Sequence, residues 1–185
     1  GFYNRDIGII SYSKVAKELI KYLNNFKNNI WLYDPYIKKE KLRNLNIRKA
    51  SLEDIFTNCD IISLHAPLIE DTRNMIRKEH FEMMKQNATF INTARGQIIN
   101  QNDLLDVFKS RKDLLAVLDV TYPEPLPKDS ELYKMKNVII SPHIAGSLGD
   151  EIQAMGELMY NELNNYLTAG NLEYEITEQQ FKIMA

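Results

Sequence analysis

The sequence predicts a doubly wound α/β fold, a parallel sheet with helices on both faces, and three observations carry that expectation. Short β-branched apolar runs recur along most of the chain. They are apolar on both faces, as suits strands covered on each side rather than strands with one wet face. Between them lie stretches whose apolar residues recur every three or four positions, the pattern of a helix face. Strand and helix alternating over this length point to a doubly wound sheet.

The first run is Ile7-Gly8-Ile9-Ile10, and Val15, Leu19, Ile20 and Leu23 stripe the helix after it. Ile30-Trp31-Leu32-Tyr33 is the second run. Ser51-Leu52-Glu53-Asp54 resembles a capping box that opens a short helix. The third and fourth runs are Ile61-Ile62-Ser63-Leu64 and Thr89-Phe90-Ile91, the latter followed by a stripe of Leu104, Leu105 and Phe108. Ala116-Val117-Leu118 and Val138-Ile139-Ile140 complete the sheet, so residues 1–146 form one domain. Over residues 147–185 the pattern changes. Ile152, Met155, Met159, Leu163 and Leu167 stripe a long helix that ends near Gly170, with a mixed tail beyond. That helix packs either on its own sheet or on a surface outside these residues.

Composition narrows the function. The chain has 185 residues, 44 % apolar and 26 % charged, with a net charge of −2. No basic excess suggests nucleic acid, and no apolar run approaches the ~20 residues of a membrane span. The single Cys59 precedes a strand and reads as a buried thiol, and a lone cysteine makes a reducing, cytoplasmic setting the expectation. No Cys/His spacing suggests a metal. Met75, Met83 and Met84 read as core filler or subunit interface, and His80 as part of a solvated helix face.

In doubly wound sheets ligands collect at the carboxyl ends of the strands. Three segments there belong together: Asn92-Thr93-Ala94-Arg95-Gly96, Tyr122-Pro123-Glu124-Pro125 and Ser141-Pro142-His143-Ile144-Ala145-Gly146. A cation, a carboxylate and an imidazole are what a site needs to hold an α-keto or α-hydroxy acid. Arg95 offers a planar fork for a carboxylate. His143 can donate the proton that a developing alkoxide needs, with Glu124 favouring the charged imidazole.

The loop after the first strand, Ser11-Tyr12-Ser13-Lys14-Val15-Ala16, has the spacing of a dinucleotide fingerprint G-x-G-x-x-G/A. Serine replaces glycine at the first two positions, which predicts weakened binding. A serine Cβ crowds the phosphates, while its hydroxyl and the helix N-terminus still offer donors. Asp34 ends the second strand about 20 residues past the loop, where a carboxylate accepts ribose hydroxyls. It repels a 2′-phosphate, so NAD is expected over NADP.

Taken together, these residues resemble the NAD-binding, Rossmann-type domain of the D-isomer-specific 2-hydroxyacid dehydrogenases. The resemblance spans most of residues 6–168. It rests on Ser63-Leu64-His65-Ala66-Pro67-Leu68, Phe90 to Gly96, Leu118 to Pro127 and Asn137 to Gly146. It implies hydride transfer between NAD(H) and a D-2-hydroxy or 2-keto acid, with Arg95 binding substrate, His143 the acid/base and Glu124 its partner. It also implies that Asp119 meets the nicotinamide carboxamide and that Ala94, Ala145 and Gly146 border the ring. His65, Ala66 and Pro67 would line the cleft, with Thr72 and Thr93 in the same cofactor set. His65 reads equally as a packed strand-end histidine. The resemblance further implies a homodimer through this domain, with the segment from Leu126 to Lys136 contributing. The family's preceding substrate domain is expected to be absent from these residues, leaving them inactive alone, with residues 147–185 returning to it. A cofactor-sensing or assembly module on the same scaffold is the alternative.

Overall fold

The computed structural model describes residues 3–43, 45–170 and 172–181. Seven strands form one parallel sheet in the order β3-β2-β1-β4-β5-β6-β7. They are β1 (Asp6–Ile10), β2 (Asn29–Tyr33), β3 (Ile47–Lys49), β4 (Ile61–Leu64), β5 (Thr89–Asn92), β6 (Leu115–Leu118) and β7 (Val138–Ile140). The order reverses between β1 and β4, which opens a crevice at the carboxyl ends of those strands. All six apolar runs are strands. The strand without such a run, β3, is a three-residue edge whose Arg48 and Lys49 are exposed. Short charged edges resist pairing with other chains and leave no apolar alternation to read.

The helices are α1 (Lys14–Leu23), α2 (Leu52–Asn58), α3 (Lys78–Met83), α4 (Gln101–Ser110), α5 (Asp150–Ala169) and α6 (Glu178–Phe181). Two apolar clusters separate on the two faces of the sheet. Ile7 and Ile9 of β1 join Ala16, Ile20 and Leu23 of α1 on one face. On the other, Ile10, Ile62, Leu64 and Phe90 meet Ile55 and Phe56 of α2, Phe81 of α3 and Phe108 of α4. The aromatic core is interlocked edge to face: Phe81 stands at 86° to Phe90 and at 83° to Phe108. Each such buried side chain contributes roughly 1.5–3 kcal/mol. Gly8 lets α2 approach β1, because a Cβ there would lie 2.4 Å from Ile55 Cγ2.

The capping box at Ser51 is present, with Ser51 and Asp54 each accepting from the other's backbone N–H. Cys59 is fully buried, and burial, then the nearby Asp6 and Asp60 charges, push its thiol up to about 12. Two expectations change. Val15 is exposed at the start of α1, and Ala16 takes the inward position. His80 is 8 % exposed and tucked 5.2 Å from the Phe56 ring, where its Nδ1 accepts from Arg77 N. α3 is wedged against both α2 and α4, and His80 lies on its packed side while Lys78, Glu79 and Glu82 form its solvated face. Leu126, Leu132 and Met135 fill the chain's own core, which leaves Tyr122 and Tyr133 as the exposed apolar groups of that region.

The helix α5 buries none of its residues, and its stripe from Ile152 to Leu167 stays exposed. It therefore does not cover its own sheet. Among the described residues no helix is long and apolar enough to cross a membrane. Lys182 to Ala185, the end of the tail, lie outside the described residues.

Candidate active site

Because β5, β6 and β7 are neighbours and parallel, the loops carrying Arg95, Glu124 and His143 leave the same edge of the sheet. The outer two of these strands are about 10 Å apart, two strand spacings. His143 Nδ1 lies 2.5 Å from Glu124 Oε1, and both side chains are nearly half exposed. With Nδ1 held by the carboxylate, Nε2 is the nitrogen left to face a ligand. His143 has a φ of 54°, left-handed backbone that side chains adopt at a cost and that clusters at functional sites. A cavity of about 270 Å³ adjoins the pair, lined by Asp119, Thr121, Leu126, Tyr133 and Ile140 among others.

Asp119 holds that loop in place. Its Oδ1 accepts from Ser141 Oγ at 2.6 Å and from Ile144 N at 3.0 Å, and its Oδ2 accepts from Ala145 N at 2.8 Å. Burial alone would raise the Asp119 carboxyl, but these hydrogen bonds outweigh it and hold the group below its ordinary range. His143 N also donates to the Asp119 carbonyl. Among the described residues Oδ2 accepts that single hydrogen bond, which leaves it one acceptor position.

Arg95 is exposed, and its Nη1 donates to the Ala94 carbonyl at 2.6 Å. Among the described residues it has no hydrogen bond to Glu124 or His143. The fully buried Asn92 shapes its loop, accepting from Ala94 N and donating to the Arg95 carbonyl. Gly96 then packs directly on Thr121, so the Arg95 loop rests on the segment that leads to Glu124. Gln101 Oε1 accepts from Tyr122 N and ties the same two loops.

At the crevice, Ser11 has a φ of 77°, the conformation for which glycine is favoured at this position. Ser13 caps α1, accepting from Ala16 N at 3.2 Å. Among the described residues the N–H groups of Ser13, Lys14 and Val15 have no partner. Three such donors at a helix start fit a pyrophosphate. Asp34 is buried; it accepts from Tyr12 N, which fastens the loop to the end of β2, and from Tyr36 N and Ile37 N in the turn that follows it. A dinucleotide therefore fits the residues present, with the Ser11 Cβ and hydroxyl as the crowding elements.

The other candidate residues lie in the segments that follow β4, β5 and β7. His65 Nε2 lies 2.9 Å from Ser63 Oγ, and burial pushes its pKa down to about 4, so its ring is neutral. Ala66 is buried and Pro67 half-buried behind it. The Thr72 hydroxyl is engaged with the Pro67 and Ile69 main chain. Thr93 is exposed and Ala94 half-buried beside Arg95, while Ala145 and Gly146 are exposed after His143. Sequence reasoning assigned no role to Asn92, Gln101 or Ser141. Asn92 and Ser141 at least lie inside two of the three segments, whereas nothing in the sequence marks Gln101 at the start of α4. Among the described residues no group of acidic, His or Cys side chains could hold a metal ion.

Comparison with known proteins gives the family. The family described as "D-isomer specific 2-hydroxyacid dehydrogenase, NAD binding domain" matches residues 1–145. The chain is similar to D-3-phosphoglycerate dehydrogenase of Methanocaldococcus jannaschii, 33 % identical over 166 residues, covering 89 % of this chain and 32 % of that protein. It is similar to hydroxypyruvate reductase of Blautia hydrogenotrophica, 32 % identical over 163 residues, covering 88 % and 50 %. Among solved structures, D-2-hydroxyisocaproate dehydrogenase superposes with a TM-score of 0.82 at 30 % identity, covering 95 % of this chain and 57 % of that one. The chain thus spans half or less of these two curated relatives.

Proposed function

The chain belongs to the D-isomer specific 2-hydroxyacid dehydrogenases, whose NAD-binding domain it carries, and on that premise we propose that it serves hydride transfer between NAD(H) and a small D-2-hydroxy or 2-keto acid. The observation that carries the proposal is the 2.5 Å contact between His143 and Glu124, at the same sheet edge as Arg95. The free N–H groups of Ser13, Lys14 and Val15 would hold the pyrophosphate, Asp34 the adenosine ribose, and Asp119 with Ala145 the nicotinamide end. When bound, the nicotinamide gives or takes the hydride at its C4.

The chain's own residues do the rest. Arg95 receives the substrate carboxylate and fixes which face of C2 is presented. Glu124 keeps His143 turned so that Nε2 meets the C2 oxygen. In reduction that nitrogen gives a proton to the oxygen, and in oxidation it takes one. Asp119 and Ser141 keep the His143 loop from drifting, which matters because small displacements of a proton donor are costly to rate.

Turnover by these residues alone is not expected, since the family's substrate half lies outside them. Cytoplasmic action and a homodimer through this domain complete the reading, with Tyr122 and Tyr133 as contact candidates. A cofactor-sensing role on the same scaffold is favoured by one observation, the serine at a left-handed position in the phosphate loop. Assaying the purified gene product with NADH and glyoxylate, hydroxypyruvate or pyruvate separates the two. Oxidation of NADH with one of these acids is expected. Tight NADH binding without reduction of any 2-keto acid would favour the sensor.

A further inference from the structure

We propose that the Ser11 hydroxyl occupies the position on Asp34 that an adenosine ribose hydroxyl would take, so that this chain gains little from that hydroxyl. The proposal rests on the reading of residues 11–15 and Asp34 as the cofactor site. An ionised carboxylate offers about four acceptor positions. On Asp34, Oδ1 accepts from Tyr36 N at 2.8 Å and Ile37 N at 2.9 Å, and Oδ2 accepts from Tyr12 N at 2.8 Å. The fourth position faces Ser11 Oγ at 3.5 Å.

The four partners are not equivalent. Three are main-chain N–H groups: Tyr12 N joins the phosphate loop to the end of β2, and Tyr36 N and Ile37 N close the turn just after Asp34, so a ligand could displace them only by opening one of these segments. The hydroxyl is the exchangeable one. Its backbone is pinned, because Ser11 N donates to the Tyr33 carbonyl at 2.7 Å and Tyr12 N to Asp34. The hydroxyl therefore leaves Asp34 only by rotating about its own χ1. At 3.5 Å the bond is long, so it competes with an incoming ribose without excluding it. A glycine at this position offers no competitor. The serine thus weakens the adenosine end specifically, apart from any crowding of the phosphates by its Cβ.

Calorimetric titration of the 185-residue chain with ADP and with 2′-deoxy-ADP separates the two effects. In the wild type the two nucleotides should bind within about twofold of each other. In Ser11→Gly the preference for ADP should rise about twofold to fivefold, at most the worth of one net hydrogen bond. Ser11→Ala keeps the Cβ and loses only the hydroxyl, so it should show the same rise. Its left-handed backbone makes it the less stable variant, and the glycine variant carries the test if it does not fold. A preference unchanged in Ser11→Gly, even with both nucleotides bound more tightly, would overturn the proposal and leave only the Cβ. A strong ADP preference already in the wild type would also overturn it. Binding of neither nucleotide by any variant at millimolar concentration would instead remove the cofactor-loop reading on which it rests.

Discussion

Replacing Gly96 with alanine probes the junction on which the candidate site depends. A Cβ there would sit 2.1 Å from the Thr121 carbonyl oxygen, 2.2 Å from its carbonyl carbon and 2.8 Å from its Cα. All three atoms are main chain, so no rotamer change relieves the contact. Thr121 is buried, and its segment is held to α4 through the hydrogen bond from Tyr122 N to Gln101. The Arg95 loop is held equally firmly by Asn92. Overpacking of a well-filled interior costs about 1–3 kcal/mol, and rigid backbone on both sides places this change at or above the upper end. For a chain of this length each kcal/mol lowers Tm by roughly 2–4 °C, so a fall of about 6–12 °C is expected. Thermal unfolding followed by circular dichroism reads it directly. Gly156, on exposed α5 with nothing near its Cβ position, is the control, and alanine there should stabilise that helix by about 0.5–1 kcal/mol. A Gly96→Ala protein melting within about 2 °C of the wild type would refute the packing of the Arg95 loop on the Thr121 segment.

Other outcomes follow from the same contacts. His65 is held well below its unfolded pKa, so the folded state favours the neutral ring; that contribution is complete above about pH 6.5 and is lost as pH falls toward 4. Urea unfolding should show roughly 2 kcal/mol less stability from this group at pH 5 than at pH 7, and His65→Gln should flatten that difference. Cys59, fully buried with its thiol pushed up to about 12, should resist a thiol reagent at pH 8 in the native chain and react at once in denaturant. Rapid native labelling would contradict its placement behind α2. In the active gene product, His143→Gln should abolish turnover yet change the NADH dissociation constant less than about threefold, and a parallel loss of binding would make His143 a structural residue.

Much of this molecule was legible in the sequence for a definite physical reason. Strands buried on both faces must be apolar throughout, so Ile7 to Ile10 and Ile61 to Leu64 announce themselves. The edge strand Ile47–Lys49 does not, because an edge is protected by charge rather than by apolar side chains. His80 was misread because its segment is polar, whereas its burial comes from α2 and α4 closing around it, a tertiary effect. The same holds at the site. Arg95, Glu124 and His143 stand out as chemistry. The residues that hold their loops, Asn92, Gln101 and Ser141, are ordinary polar residues until folding sets them opposite a backbone N–H or a carboxylate. Which acceptor position Ser11 takes on Asp34 likewise depends on a left-handed backbone that spacing alone does not encode.

Titrating this chain with NADH while following nicotinamide fluorescence asks the most of the account. Saturable enhancement below millimolar NADH, weakened in an Asp34→Ala variant, is the predicted result. A fluorescence signal that stays linear with NADH to several millimolar would contradict it.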